Sequence, residues 1–256
     1  MNGRRSDAPP RPDRADGPGT ELEALLYDWH NTHRLSAQSA DLAYWAGMTG
    51  GVDSLLVVGA GTGRVAVPLA RHRARTVTAL DLSAARLRRM PAVPGLTPVC
   101  GDMRAMPLRG GFGGAIVPYS TLQLLRTGHD RGRALAEAAR VLDPGAPLYL
   151  DVSGSFDTRT AADWRIALSA PCPEVGETVV EWERCGVLPD HVLLEKSFRT
   201  EDGAVLLAVE ERWAFLRVLD LDAELDRAGF DVTGVDHGYG ADRSPHRRIY
   251  HARRRP

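Results

Sequence analysis

"LLVVGAGTGRVAVPLA", residues 55–70, is the stretch on which the reading of the whole chain turns. Four apolar residues run straight into glycines at alternate positions, Gly59, Gly61 and Gly63, and then into a segment whose apolar residues recur at helical spacing. A short continuous apolar run is the pattern of a strand buried on both faces. A backbone that bare after such a strand suits a turn pressed against a ligand at a helix N-terminus, because a Cβ would block either the backbone angles or the approach.

The same strand-then-helix unit recurs downstream. "RTVTALD" reads as a second strand, "SAARLRRM" as a helix opened by Ser83, "LTPVCGD" as a third strand and "GGAIVPYS" as a fourth. "DRGRALAEAARVL" (130–142) is an amphipathic helix stopped by "DPGA", and "PLYLDV" (147–152) is a fifth strand. Strands alternating with helices imply a parallel sheet covered on both faces. Upstream, "ELEALLYDWHNTHRL" (21–35) and "SAQSADLAYWAGM" (36–48) read as two cap helices, after a charged, Pro- and Gly-rich leader over residues 1–20 that is expected to be disordered.

After residue 152 the pattern changes. "ETVVEWERCGVL", "HVLLEKSFR" and "AVLLAVEERWAFLRVL" are three strand-like runs separated by turn signals, which predicts an antiparallel meander. The last of these has more apolar residues than one solvated face needs, so it is expected to cover a pocket, a dimer seam or both. "DLDAELDRAG" is then a helix ended by Gly229, and "FDVTGVD" and "RRIYHAR" are two closing strands joined by "HGYGADRSPH". The expected division is a leader over 1–20, a helical cap over 21–50, a nucleotide-binding core over 51–155, an antiparallel insert over 156–217, and a helix with the last two strands over 218–256.

Composition narrows the function. A formal charge of -1 over 256 residues supplies no overall field for nucleic acid or an anionic membrane, so a small-molecule partner is expected. Three widely spaced cysteines form no C-x-x-C pair, which points to no disulfide framework and no metal site, and to a cytoplasmic setting. The glycine spacing departs from the dinucleotide fingerprint G-x-G-x-x-G, since the third glycine comes one position early. Asp81, at the end of the second strand, is placed to accept both hydroxyls of a ribose and suits either kind of nucleotide.

At this point the chain resembles the class I S-adenosylmethionine-dependent methyltransferases of the small-molecule type, over about residues 50–152 at motif level. "VVGAGTG" matches the family's glycine loop, "ALDLS" its ribose-binding acid, "CGDMRAMPL" the acidic region after the third strand, and "VLDPGAPLYLDV" the turn into strand five. "LDAELDRAGFDV" is similar to the family's final helix and sixth strand. The resemblance implies a Rossmann-like three-layer α/β sandwich with a mostly parallel seven-stranded sheet and an antiparallel last strand. It further implies S-adenosyl-L-methionine as cofactor, with Gly59, Gly61 and Gly63 at its methionine part, Asp81 on the ribose, Asp102 and Met103 at the adenine, and Ala60, Leu82 and Tyr119 completing the set. Two positions depart from the family: Val57 stands where an acid usually precedes the glycines, and Gly113 stands where Asp usually follows the aromatic that opens strand four.

In an open parallel sheet the ligand crevice lies beyond the carboxyl ends of the strands. That selects Tyr119, His237 and Tyr239 as candidate catalytic residues, together with the segment around Ser153, with Tyr27, His30 and His33 of the first helix able to close the site. The expected function is methyl transfer to nitrogen or oxygen of a small molecule in specialised metabolism, and a homodimer stays open. The alternative is a methyltransferase-like protein that keeps the cofactor as a scaffold for a non-methylating reaction such as cyclisation.

Overall fold

The computed structural model describes residues 20–35, 40–72, 76–153, 163–189, 191–214, 220–240, 242–244 and 246–256. The leader expected over 1–20 lies outside the described residues but for Thr20, as do residues 36–39 of the expected second helix and 215–219 of the last meander run.

Helix α1 (Glu21–His30) is capped by Thr20, whose hydroxyl accepts from the Glu23 amide at 3.1 Å, and runs on into a π turn over Asn31–Leu35. Then come α2 (Ala40–Met48), β1 (Ser54–Val58), α3 (Ala66–His72), β2 (Thr76–Asp81), α4 (Ala84–Arg89), β3 (Leu96–Cys100), β4 (Gly114–Val117), α5 (Gly128–Val141) and β5 (Pro147–Ser153). Next are β6 (Arg165–Cys172), β7 (Glu177–Val187), β8 (His191–Thr200), β9 (Val205–Ala214), α6 (Leu221–Arg227), β10 (Phe230–Asp236), the short β11 (Gly238–Tyr239) and β12 (Asp242–Arg243), and β13 (Arg247–Arg254).

The main sheet has seven strands in the order β10-β13-β5-β4-β1-β2-β3. β13 runs antiparallel to both its neighbours, while the pairs from β5 through β3 are parallel. The absence of alternation in "LLVV" now has its cause. Leu55 and Val57 enter the apolar cluster with Trp45 and Leu69, whereas Leu56 and Val58 enter the opposite cluster with Leu135 and Leu225. β4 stops at Val117, short of the expected Ser120, because Pro118 offers no amide and Tyr119 and Ser120 turn into the left-handed region at φ 53° and 57°.

A separate antiparallel sheet follows in the order β6-β7-β8-β9. It has four strands where three runs were expected. The missed strand, β6, is an edge strand whose register shift between Ile166 and Leu168 breaks the alternation in its first half, leaving only Leu168, Ala170 and Cys172 turned inward, with Pro171 among them. The apolar face of this sheet is covered from within the chain: Leu26 and Trp29 of α1 pack on Val179, Phe198 and Leu207. Gln123 ties this sheet to the core, since its side-chain amide donates to Ala214 O at 2.7 Å and Ser153 O at 3.2 Å while its carbonyl accepts from Ser153 N at 2.7 Å. Among the described residues no helix is long and apolar enough to cross a membrane, and no cluster of His, Cys, Asp and Glu could hold a metal.

Candidate active site

The strand order reverses between β1 and β4, and the crevice of an open α/β sheet lies beyond the carboxyl ends at such a point. The turn after β1 lies there. Gly59 and Ala60 both donate their amides to Leu80 O, at 2.8 and 3.0 Å, which folds the loop back over β2. Gly61 adopts φ +56°, and a Cβ on it would lie 2.8 Å from the Tyr27 hydroxyl. The loop is therefore bare on the side that α1 covers. Thr62 donates to Asp28 of the same helix at 2.8 Å.

Asp81 closes β2 as a buried carboxylate, accepting from Gly61 N at 2.7 Å on one oxygen and from Ser83 N at 2.8 Å on the other. Each oxygen keeps a further lone pair, so the group can still accept from a diol. Leu82 beside it is 70% exposed, an apolar surface bared at the crevice edge. Arg86 stacks on the Tyr27 ring at 3.8 Å and pairs with Glu23 at 2.6 Å, which anchors α1 over this corner. Asp102 and Met103 follow β3. The Arg104 guanidinium beside Asp102 holds its carboxyl below the usual range, and Arg104 reaches on to Asp130 at 3.0 Å.

Tyr119 and Tyr239 are brought together around Asp151. This fully buried carboxylate accepts from Tyr119 N at 2.9 Å, from the Tyr239 hydroxyl at 2.5 Å and from Arg247 at 2.6 Å. Burial pushes both phenols well above the ordinary tyrosine value, so both hold their protons at neutral pH. The Tyr119 hydroxyl donates to Asp41 at 2.8 Å, and the Arg64 guanidinium lies over the Tyr119 ring at 4.4 Å while donating to Asp41 and to the same hydroxyl. His237 is exposed and is not part of this cluster. His30 turns to the other sheet, where its Nδ1 lies 2.6 Å from the buried Glu181, and His33 is exposed with its ring against Trp29.

Asp41, Arg64, Asp151 and Arg247 were not singled out from sequence. Asp151 is a lone charge inside the apolar run "PLYLDV", and Arg64 directly follows the last glycine of the loop; both are signals that a sequence reading can use. Gly113 precedes β4, at the opposite end of the strand from the crevice. That departure from the family pattern is therefore remote from the crevice.

A parallel sheet with an antiparallel seventh strand, a glycine turn at the switch point and an acid closing β2 define the class I methyltransferase fold. Residues 56–150 match the family described as a methyltransferase domain. Residues 56–150 thus carry a methyltransferase domain, and the chain as a whole has the fold of class I S-adenosylmethionine-dependent methyltransferases. Among solved structures it is similar to the sugar N-methyltransferase KedS8 from a Streptoalloteichus species, at 21% identity and TM-score 0.76, over 99% of this chain and 100% of that one. It is similar to CalS10, an amino pentose methyltransferase from Micromonospora echinaspora, at 21% identity and TM-score 0.65, over 90% of this chain and 96% of that one. It is also similar to an S-adenosylmethionine-dependent methyltransferase from Clostridium acetobutylicum, at 13% identity and TM-score 0.71, over 90% of this chain and 98% of that one. No curated protein matches the chain in sequence.

Proposed function

We propose that the chain transfers a methyl group to an amine nitrogen of a small polar acceptor of the amino-sugar type, in the cytoplasmic biosynthesis of a specialised metabolite. The observation that carries this reading is the extent of the likeness to KedS8. It spans 99% of this chain, and so takes in the cap helices and the four-stranded sheet as well as the domain matched at 56–150. Acceptor choice resides in such additions to a shared core.

When bound, S-adenosylmethionine supplies an electrophilic methyl on its sulfonium. In this reading Asp81 accepts from the ribose, Leu82 covers the adenine, Asp102 and Met103 meet its edge, and Gly59, Ala60, Gly61 and Gly63 line the methionine part. Tyr119 and Tyr239, whose hydroxyls donate to Asp41 and Asp151, accept from the acceptor through their hydroxyl oxygens and fix its amine in line with the methyl, which is where most of the acceleration arises. The amine attacks as its free base and its surplus proton leaves to solvent. His237 has no part in this reading. The exposed apolar residues Ile166 and Val187 of the four-stranded sheet support a homodimer through that sheet.

The test is incubation with S-adenosylmethionine and a panel of amino sugars, their nucleotide conjugates and matched hydroxy sugars, followed by mass analysis. The expected result is one added methylene on the amino compounds with S-adenosylhomocysteine formed in equal amount. Methylation of the hydroxy compounds alone would overturn the amine assignment. A product of unchanged mass, formed equally well with S-adenosylhomocysteine present, would overturn methyl transfer in favour of a scaffolding cofactor.

A further inference from the structure

We infer that Asp41, on helix α2 outside the matched domain, is the acid that binds the ammonium of the cofactor's amino-acid end, with Arg64 beside it for the carboxylate. The inference rests on the cofactor, not on the proposed acceptor.

Asp41 is almost completely buried, with 1% of its side chain exposed. One carboxylate oxygen, Oδ2, takes the Arg64 guanidinium and the Tyr119 hydroxyl. The other, Oδ1, is buried with no hydrogen-bond partner among the described residues. A desolvated carboxylate oxygen left unpaired is costly, and native proteins retain such groups where a ligand completes them. The groups around it define what would complete it. Arg64 follows the glycine loop directly and Tyr119 follows β4, so both stand at the point where the strand order reverses. Tyr119 and its neighbour Ser120 are also the non-glycine residues with positive φ among those described, a backbone cost concentrated at this place. An orphaned carboxylate oxygen next to an arginine matches a zwitterion, one charge against each.

The placement also accounts for Val57. Where the family has an acid, this chain has a fully buried valine packed in one cluster with Trp45 of α2. Asp41 precedes Trp45 by one helical turn and so shares its face of α2. The helix whose tryptophan packs in the cluster around Val57 thus delivers a carboxylate to the same end of β1. A charge absent from the strand arrives from the cap.

Calorimetric titration of wild type and Asp41→Asn with two probes tests this. S-adenosylhomocysteine carries the amino-acid end; 5′-methylthioadenosine has the same adenosine and thioether without it. The expected result is a loss of about 10- to 100-fold for S-adenosylhomocysteine in Asp41→Asn, with 5′-methylthioadenosine changed by less than about 2-fold. Arg64→Lys, which keeps a cation beside Asp41, should show a smaller loss on the same probe alone. An equal loss on both probes would make Asp41 a packing residue and overturn the inference, as would an unchanged S-adenosylhomocysteine affinity. Because 5′-methylthioadenosine binding reports a folded adenosine site, a misfolded variant is told apart from a selective one. Failure of wild type to bind either probe would overturn the cofactor assignment and this inference with it.

Discussion

Asp81 in the main sheet and Glu181 in the four-stranded sheet are both buried carboxylates, and the chain meets them by different means. Asp81 accepts backbone amides from Gly61 and Ser83, groups whose positions the strand ends dictate. Glu181 is met by side chains from other elements, His30 of α1 at 2.6 Å and Lys196 of β8 at 3.3 Å, and on the same strand face Glu183 takes Arg34 and Arg165. Backbone donors are fixed by the fold itself, whereas a cap docked through buried charged side chains depends on their protonation and so on pH. The core is thus rigidly specified, and the sheet is fastened to α1 by bonds that solution conditions can loosen.

The severest challenge to this contrast is Val57→Glu, which restores the family's acid in the core. Val57 is fully buried in an apolar cluster, so the new carboxylate has no water to meet it. We expect a destabilisation of about 3–5 kcal/mol by denaturant titration. Improved S-adenosylhomocysteine affinity with no loss of stability would show that the site can take the acid after all. Glu181→Leu strikes the other region. It should cost about 1–3 kcal/mol, because His30 and Lys196 lose their partner but retain some access to water. Cofactor affinity, measured by calorimetry, should move less than about 2-fold, since sites without shared partners behave independently.

Asp81→Ala is the mirror image. It should weaken S-adenosylhomocysteine binding by roughly 1–3 kcal/mol through lost charge-assisted bonds, while α1 stays docked on the four-stranded sheet by amide hydrogen exchange. Equal binding by wild type and variant would remove Asp81 from the ribose.

A pH titration separates the regions more gently. Burial works to raise the Glu181 carboxyl, but the His30 hydrogen bond and the Lys196 charge prevail and hold it below the ordinary glutamate value. A carboxyl depressed in the folded state contributes stability that is present above the unfolded value of about 4.3 and is lost as pH falls through the lower folded value. The melting temperature should therefore drop in that acid range, and drop less in Glu181→Leu. The smallest effect is expected at Glu21, whose pair with Arg88 is exposed on both sides. Glu21→Ala should change stability by less than about 1 kcal/mol, and a larger effect would mean that even exposed charges fasten α1.

The same contrast explains what was legible in sequence. β1, β4 and β5 announce themselves because each is buried on both faces, and the glycine turn because its chemistry is local. The cluster around Tyr119 is not local: Asp41, Arg64, Asp151 and Arg247 meet it from four separate elements or their ends, and no spacing rule links them. β6 escaped because a register shift after Ile166 limits its alternation to the five residues from Leu168 to Cys172, and Pro171 lies among them. His30 and His33 looked alike on the helix, yet one pairs with Glu181 and the other faces solvent, since only the packed sheet distinguishes the two sides.

Gln123 bonds to Ser153, where the chain leaves the main sheet, and to Ala214, at the end of β9. Exit and last strand therefore lie within reach of one side chain, which together with α1 fastens the four-stranded sheet to the core. Closing a long loop is entropically expensive when its ends must be brought together from a flexible chain, but here the folded core already holds those ends side by side. A module mounted this way can be lengthened, traded or redesigned without disturbing the strands that carry the nucleotide. On the proposed function, inheritance of a methyl donor and invention of new acceptors then become separate problems, solved on opposite sides of one glutamine.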